Sequence, residues 1–135
     1  MPDTATSIKY FASVVAIPGI FLCLMGLGIV PLDEKMGLMS APFIDPIGVP
    51  LQPFSLFLGS SNIMGVLSLW GKGPMPKTLG RIELMIASAC GAYAHTAVEE
   101  SPAFALLFFC LIAYLFVLDN QKPIEEENKS IKVKA

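Results

Sequence analysis

Charge, histidine and cysteine are all scarce in this chain of 135 residues: 15% of positions are charged, one is histidine and three are cysteine. Each scarcity excludes a class of chemistry. With a formal net charge of -2 there is no basic stripe to compete for phosphate density, so no nucleic-acid partner is expected. Cys23, Cys90 and Cys110 are odd in number, far apart and set within apolar runs. That argues against a disulfide framework, a CxxC redox centre and a zinc cluster, and no metal site is expected. His95 has no evident nucleophile beside it, and the sequence carries neither a nucleotide-binding loop nor a core pair of haem ligands. No catalytic residue is assigned.

What the chain has instead is apolar length. It is 54% hydrophobic, with a mean hydropathy of +0.66, and residues 10–30, 54–70, 79–98 and 102–118 form four hydrophobic runs. A soluble domain this apolar would be unusual. If each run crosses a bilayer, Lys9, Lys72, Lys77, Arg81, Lys122, Lys129, Lys132 and Lys134 share one face and only Lys35 lies opposite. That asymmetry predicts an all-α fold, a four-transmembrane-helix bundle with both termini in the cytoplasm. The implied organisation is a polar lead over residues 1–9, a membrane domain over 10–118 and a charged tail over 119–135 without fixed structure. The first run is longer than a signal-peptide hydrophobic region and has no A-x-A site near its end, so it is expected to persist as a helix.

Within the runs, small and polar residues carry the information. Gly19, Cys23 and Gly26 fall on one face of the first helix, and Pro18 stands near its start, where it either kinks the helix or is tolerated. Residues 31–53 contain five prolines that forbid a continuous helix, and they read as an interfacial loop or as a lid over a cavity. In the second helix Gly59 and Gly65 predict close packing, and Asn62 is an amide at mid-membrane that needs a partner. The third helix, with Thr78 as N-cap, holds most of the candidate chemistry. One stripe runs Arg81, Ser88, Ala92, His95 and Glu99. The other runs Glu83, Ala87, Cys90, Gly91 and Ala94, a packing face with an acid at one end. Arg81 and Glu83 point to nearly opposite sides, and Arg81 is placed to snorkel to the cytoplasmic interface. Polar and ionisable residues within a span mark function by default, so Asn62, Arg81, Glu83, His95 and Glu99 are the candidate ligand- or partner-binding residues. Asn62 is also the candidate partner of Glu83. Gly59, Gly65, Ala87 and Gly91 are the candidate packing residues. The fourth helix, with Ser101 as cap and Pro102 at its first position, is an apolar wall.

FLGSSNIMGVLSLW over residues 57–70, a short Gly/Pro turn, and LGRIELMIASACGAYAHTAVEESPAFALLFF over residues 79–109 together resemble the DoxX-like family of small four-helix membrane proteins. The Ala92-Tyr93-Ala94-His95 end of the third helix and the acidic turn after it carry part of the likeness. Family members often have a glutamate in the second helix, about where Asn62 stands here. The resemblance implies the fold and a membrane location; relatives serve thiosulfate oxidation with quinone, redox-stress complexes or the assembly of other membrane proteins. Two functions follow as expectations. The favoured one is a non-catalytic partner or assembly subunit of a larger membrane complex, in contact with lipids and other membrane-protein subunits. The alternative is a quinone- or lipid-binding oxidoreductase subunit, with Asn62, Glu83 and His95 lining an intramembrane cavity and quinone as the compatible cofactor.

Overall fold

A computed structural model describes residues 3–134; the side chains of residues 122–125, including the Lys122 of the charge pattern, lie outside the description. All regular structure among the described residues is helical: α1 (Thr4–Ser13), α2 (Ala16–Gly26), α3 (Glu34–Ile44) with a 3₁₀ turn at Asp45–Ile47, α4 (Leu51–Leu69), α5 (Lys77–Ala97) and α6 (Ala103–Lys134). Two segments, Thr4–Gly26 and Ala103–Lys134, are long and apolar enough to cross a membrane.

The prolines explain where the helices break. Pro18 has no N–H, and its ring crowds the carbonyl four residues earlier, which is Val14; the first apolar run accordingly bends at Val14 and Val15 between α1 and α2. The helix also reaches back into the polar lead as far as Thr4, whose turn is capped by Asp3 accepting from the Thr6 amide at 2.7 Å. In the stretch expected to be free of helix, α3 forms in spite of Pro42 and ends two residues after it. Gly48, in the left-handed region at φ 67°, then turns the chain toward α4. Pro50 caps α4 and Pro53 falls in its first turn, where an N–H has no helical acceptor in any case. α5 begins at Lys77 behind Pro76, so Thr78 lies inside the helix rather than at its cap. Ser101 does serve the next start, its hydroxyl accepting from the Ala103 amide at 3.3 Å.

α2 runs antiparallel to α4 at backbone contact. A Cβ at Gly59 would stand 2.5 Å from the Gly19 carbonyl oxygen and 2.8 Å from the Cys23 nitrogen, and one at Gly26 would meet the Leu56 backbone at 2.6 Å. The face predicted from the spacing of Gly19, Cys23 and Gly26 is thus the one that meets α4. α5 packs antiparallel on α4, with Gly80 against Ser68 and Gly65 against Glu83 and Leu84. α6 returns along α5, and α1 crosses to close the core, where Ile8, Ala12, Val66, Leu69, Leu84, Phe108, Ile112 and Leu115 are buried together.

Two sequence expectations change at the α1 end of the bundle. Arg81 is 2% exposed rather than snorkelling, with Nε 2.5 Å from Asp119 Oδ2 and Nη1 donating to the Lys77 carbonyl at 3.3 Å. The partner lies beyond the fourth apolar run because α6 continues as helix through Lys134, where an unstructured tail is predicted. Extending an established helix costs little per residue, and Gln, Glu and Lys are good helix formers. Trp70 marks the same end: its Nε1 donates to Ser13 Oγ at 2.9 Å and Lys9 Nζ lies 6.0 Å from its ring centre.

Gly91 is the correction among the predicted packing residues, since a Cβ there would meet nothing closer than Ala105 at 4.0 Å. Gly59→Ala should therefore cost roughly 1–3 kcal/mol of stability, because two backbones must separate, whereas Gly91→Ala should be neutral or stabilising by a few tenths. Reversible unfolding in detergent measures both, and equal destabilisation by the two would contradict the packing described.

Candidate functional site

The stripe Glu83, Ala87, Cys90, Gly91 and Ala94 predicts a seam between helices. The structure sets a cavity of about 860 Å³ against that face instead. Small side chains let a neighbouring helix approach only if one is there; here α5 faces open space bounded by α2, α3, α4 and α6. Phe21, Leu22 and Met25 come from α2, Phe54, Phe57 and Leu58 from α4, and Phe104 and Phe108 from α6. From Glu83 to His95 the lining of α5 extends about 18 Å at ~1.5 Å per residue. The volume falls within the ordinary range of ligand sites.

Polar groups stand at both ends of this apolar slot. At one end Ser61 Oγ donates to Glu83 Oε1 at 2.5 Å. Glu83 Oε2 is buried without a hydrogen-bond partner and lies against Gly65, where a Cβ would displace it. Gly65 therefore makes room for a carboxylate as well as for Leu84. Asn62 borders the cavity and is 8% exposed, yet its Oδ1 has no partner either. The donor to Glu83 is Ser61, not the Asn62 predicted. One helical residue is worth 100° of rotation, and α4 turns Ser61 toward α5 while Asn62 faces nearer α2, its Cβ 3.4 Å from the place a Gly19 Cβ would occupy. The Ser88 hydroxyl donates to the Leu84 carbonyl at 2.6 Å.

At the other end His95 Nδ1 lies 2.8 Å from Glu100 Oε2, and Lys35 Nζ donates to Glu100 Oε1. The helix cap builds this cluster. Glu99 takes the left-handed conformation at φ 58°, the Glu99 amide donates to the Thr96 carbonyl at 3.1 Å and the Glu100 amide to the His95 carbonyl at 2.8 Å, a Schellman ending of α5. That turn folds Glu100 back beside His95 and leaves the Glu99 side chain exposed and outside the cluster. The predicted acid is thus displaced by one residue. Lys35 brings α3 with it: Met36, Met39, Ser40 and Phe43 form one wall of the cavity, Phe43 sits edge-on to Tyr93 with ring centres 5.9 Å apart, and the Ser40 hydroxyl is buried without a partner.

Of the predicted site residues, the fold brings Asn62 and Glu83 to one end and His95 to the other, together with Ala87 and Gly91 between them. Arg81 and Glu99 stand apart, and Gly59 serves the α2 contact. Ser61, Lys35, Ser40 and Glu100 are additions. Ser61 stands four residues before Gly65, a small-xxx-small spacing that marks it in the sequence; Lys35 and Ser40, far away in the chain, carry no such signal. Comparisons of the chain with family models, with curated proteins and with solved structures find no match.

Hydrogen bonds from Lys35 and then from His95 hold the Glu100 carboxyl below the ordinary carboxylate range. Its pairing therefore supports the folded arrangement fully above the unfolded value of about 4.3 and loses that support as pH falls through the lower folded value. Amide protection factors in α3 should drop on acidification below about pH 4, and Lys35→Ala should show the reduced protection already near neutrality. Wild-type protection that is constant from neutral pH to about pH 3 would show that the pair does not hold α3.

Proposed function

We propose that this chain is a multi-pass integral membrane protein of the DoxX-like type that binds an apolar amphiphile, lipid- or quinone-like, in the cavity along α5. The cavity itself carries the reading: a largely apolar slot with Asn62 and Glu83 at one end and His95 at the other matches a molecule with a long apolar body and a polar head.

Four-span topology is supported by lengths and by the placement of polarity. At ~1.5 Å per residue α4 and α5 are about 28 and 31 Å long, close to the ~30 Å of a hydrocarbon core, and they differ from the two more apolar segments in polar residues that face inward. Ser55, Asn62, Ser68, Arg81 and Ser88 are buried, while Ile17, Ile20, Leu106, Leu107 and Val117 are exposed away from the cavity. Polar inside and apolar outside is an arrangement for lipid, not water. Lys9 and Trp70 meet at one end and Lys35 stands at the other with His95, which accords with cytoplasmic termini. The partner-subunit function drew on small-residue faces, and the face on α5 borders the cavity.

Purification in mild detergent followed by lipid extraction and mass spectrometry tests the ligand. Wild type should retain a stoichiometric amphiphile, and Ala87→Phe, which fills the slot, should retain at most about a tenth as much at unchanged thermal stability. A stoichiometric protein partner with an empty cavity would replace this function by the assembly role. For topology, engineered cysteines in residues 72–77 should label from the cytoplasm and those in residues 33–45 from the opposite side; labelling of both from one side would end the four-span reading.

A further inference from the structure

The walls of the slot do not close into a ring. Among the described residues α2 packs on α4, α6 packs on α5 and α1, and α2 and α6 do not pack on each other. The bend at Val14 and Val15 produces this arrangement. Before it, Phe11 of α1 rests on Phe104 and Phe108 of α6, with ring centres 5.9 and 6.2 Å away. After it, α2 follows α4, because Gly19, Gly26 and Gly59 let the two backbones meet. One apolar segment thus meets α6 with its first half and α4 with its second, and a gap opens between α2 and α6, across the slot from α4 and α5. Accessibility of the walls marks the gap. Phe21 of α2, Phe57 of α4, Ile86 of α5 and Phe104 of α6 border the slot and are nevertheless 55, 69, 59 and 62% accessible, too much for a sealed chamber.

Both sides of the gap come from Thr4–Gly26 and Ala103–Lys134, the two segments long and apolar enough to cross a membrane. Neither α2 nor α6 brings a charged side chain to the slot. Helices tolerate such an opening in lipid, since their backbone groups are paired internally. We infer that the slot opens sideways into the bilayer between α2 and α6, and that the amphiphile enters and leaves through this gap, its tail never crossing water. The inference rests on the amphiphile-binding reading and adds to it the route and the source of the ligand, molecules already dissolved in the membrane. The other approach, at the α3 end, leads past Lys35, Glu100 and His95, an accessible charged cluster. A long tail taking that way would expose its methylenes to water, at a cost that rises with each one.

The test follows exchange of a bound probe with a bilayer. The whole chain, with Cys23, Cys90 and Cys110 replaced by serine, is placed in nanodiscs of dimyristoyl phosphatidylcholine and loaded with perdeuterated hexadecanol. Replacement by unlabelled hexadecanol is then timed by native mass spectrometry. Phe21→Cys and Phe104→Cys, one on each side of the gap, are bridged with bis-methanethiosulfonate linkers of graded length, and intact mass confirms the bridge. Exchange in the bridged protein should be at most about a tenth as fast as before bridging, and a reductant that cuts the linker should restore it. Bridging Lys35→Cys to Glu100→Cys in the same way pins α3 over the end of the slot and should slow exchange by less than about twofold. If the Phe21 and Phe104 pair does not fold or takes no linker, Phe21→Ala, which widens the gap, replaces it. Exchange about threefold faster or more then supports the lateral route, and a smaller change overturns it. Exchange that ignores the bridge between α2 and α6 overturns the route, whatever the α3 bridge does, and leaves the cavity reading in place. Exchange stopped equally by both bridges also overturns it, since the α3 end would then be part of the path. If the folded protein takes up no hexadecanol, the cavity reading falls and this inference with it.

Discussion

The α2 and α4 backbones meet at Gly19 and Gly59, where a Cβ on Gly59 would stand only 2.5 Å from the Gly19 carbonyl oxygen, and the other helices are arranged around that contact. Where two helices approach this far, their remaining faces diverge from a third. α5 is held to α4 by a second set of small residues near the opposite end, Gly65 over Glu83 and Gly80 over Ser68. Farther along, Ala87, Cys90, Gly91 and Ala94 of α5 border the cavity, with Ala105 of α6 no closer than van der Waals contact to Gly91. Glycine contacts pinned at selected positions, with alanine-sized residues elsewhere, yield a cavity where large side chains would have produced a filled core.

Ionic contacts secure the two ends of α5, and they differ in character. Arg81 and Asp119 form a pair with its cationic side buried, which ties the start of α5 to the extension of α6. Removing the carboxylate would leave a buried charge uncompensated, so this contact resists opening. Lys35, Glu100 and His95 form an exposed cluster, the Lys35 and Glu100 side chains being 53% and 40% accessible. Surface pairs of that kind contribute little and respond to salt and pH. The bundle is thus firmly closed where α1, α5 and α6 converge and lightly held where α3 covers the slot. For the amphiphile proposed above, that imbalance supplies a wall that stays and a wall that yields.

Much of this was legible in the sequence, because helical periodicity is a local property. The apolar runs located α2, α4, α5 and the first part of α6, though not α3 or the extension of α6; Gly19, Cys23 and Gly26 gave the face of α2 that meets α4, and the opposed directions of Arg81 and Glu83 follow from their spacing alone. The position of Pro18 foreshadowed the bend at Val14. Tertiary structure decided what each face meets. Whether the small stripe of α5 is a seam or a cavity wall depends on the rotation and offset of α2, α3 and α6, which no spacing within α5 encodes. The same holds for partners: Ser61 rather than Asn62 reaches Glu83 because α4 is rotated by one residue's worth of angle, Glu100 rather than Glu99 joins His95 because the helix ends in a left-handed turn, and Arg81 finds Asp119 because α6 extends past its apolar run. A sequence fixes which residues share a helix face, through a repeat of about 3.6 residues, while contacts between faces are set by packing among segments distant in the chain.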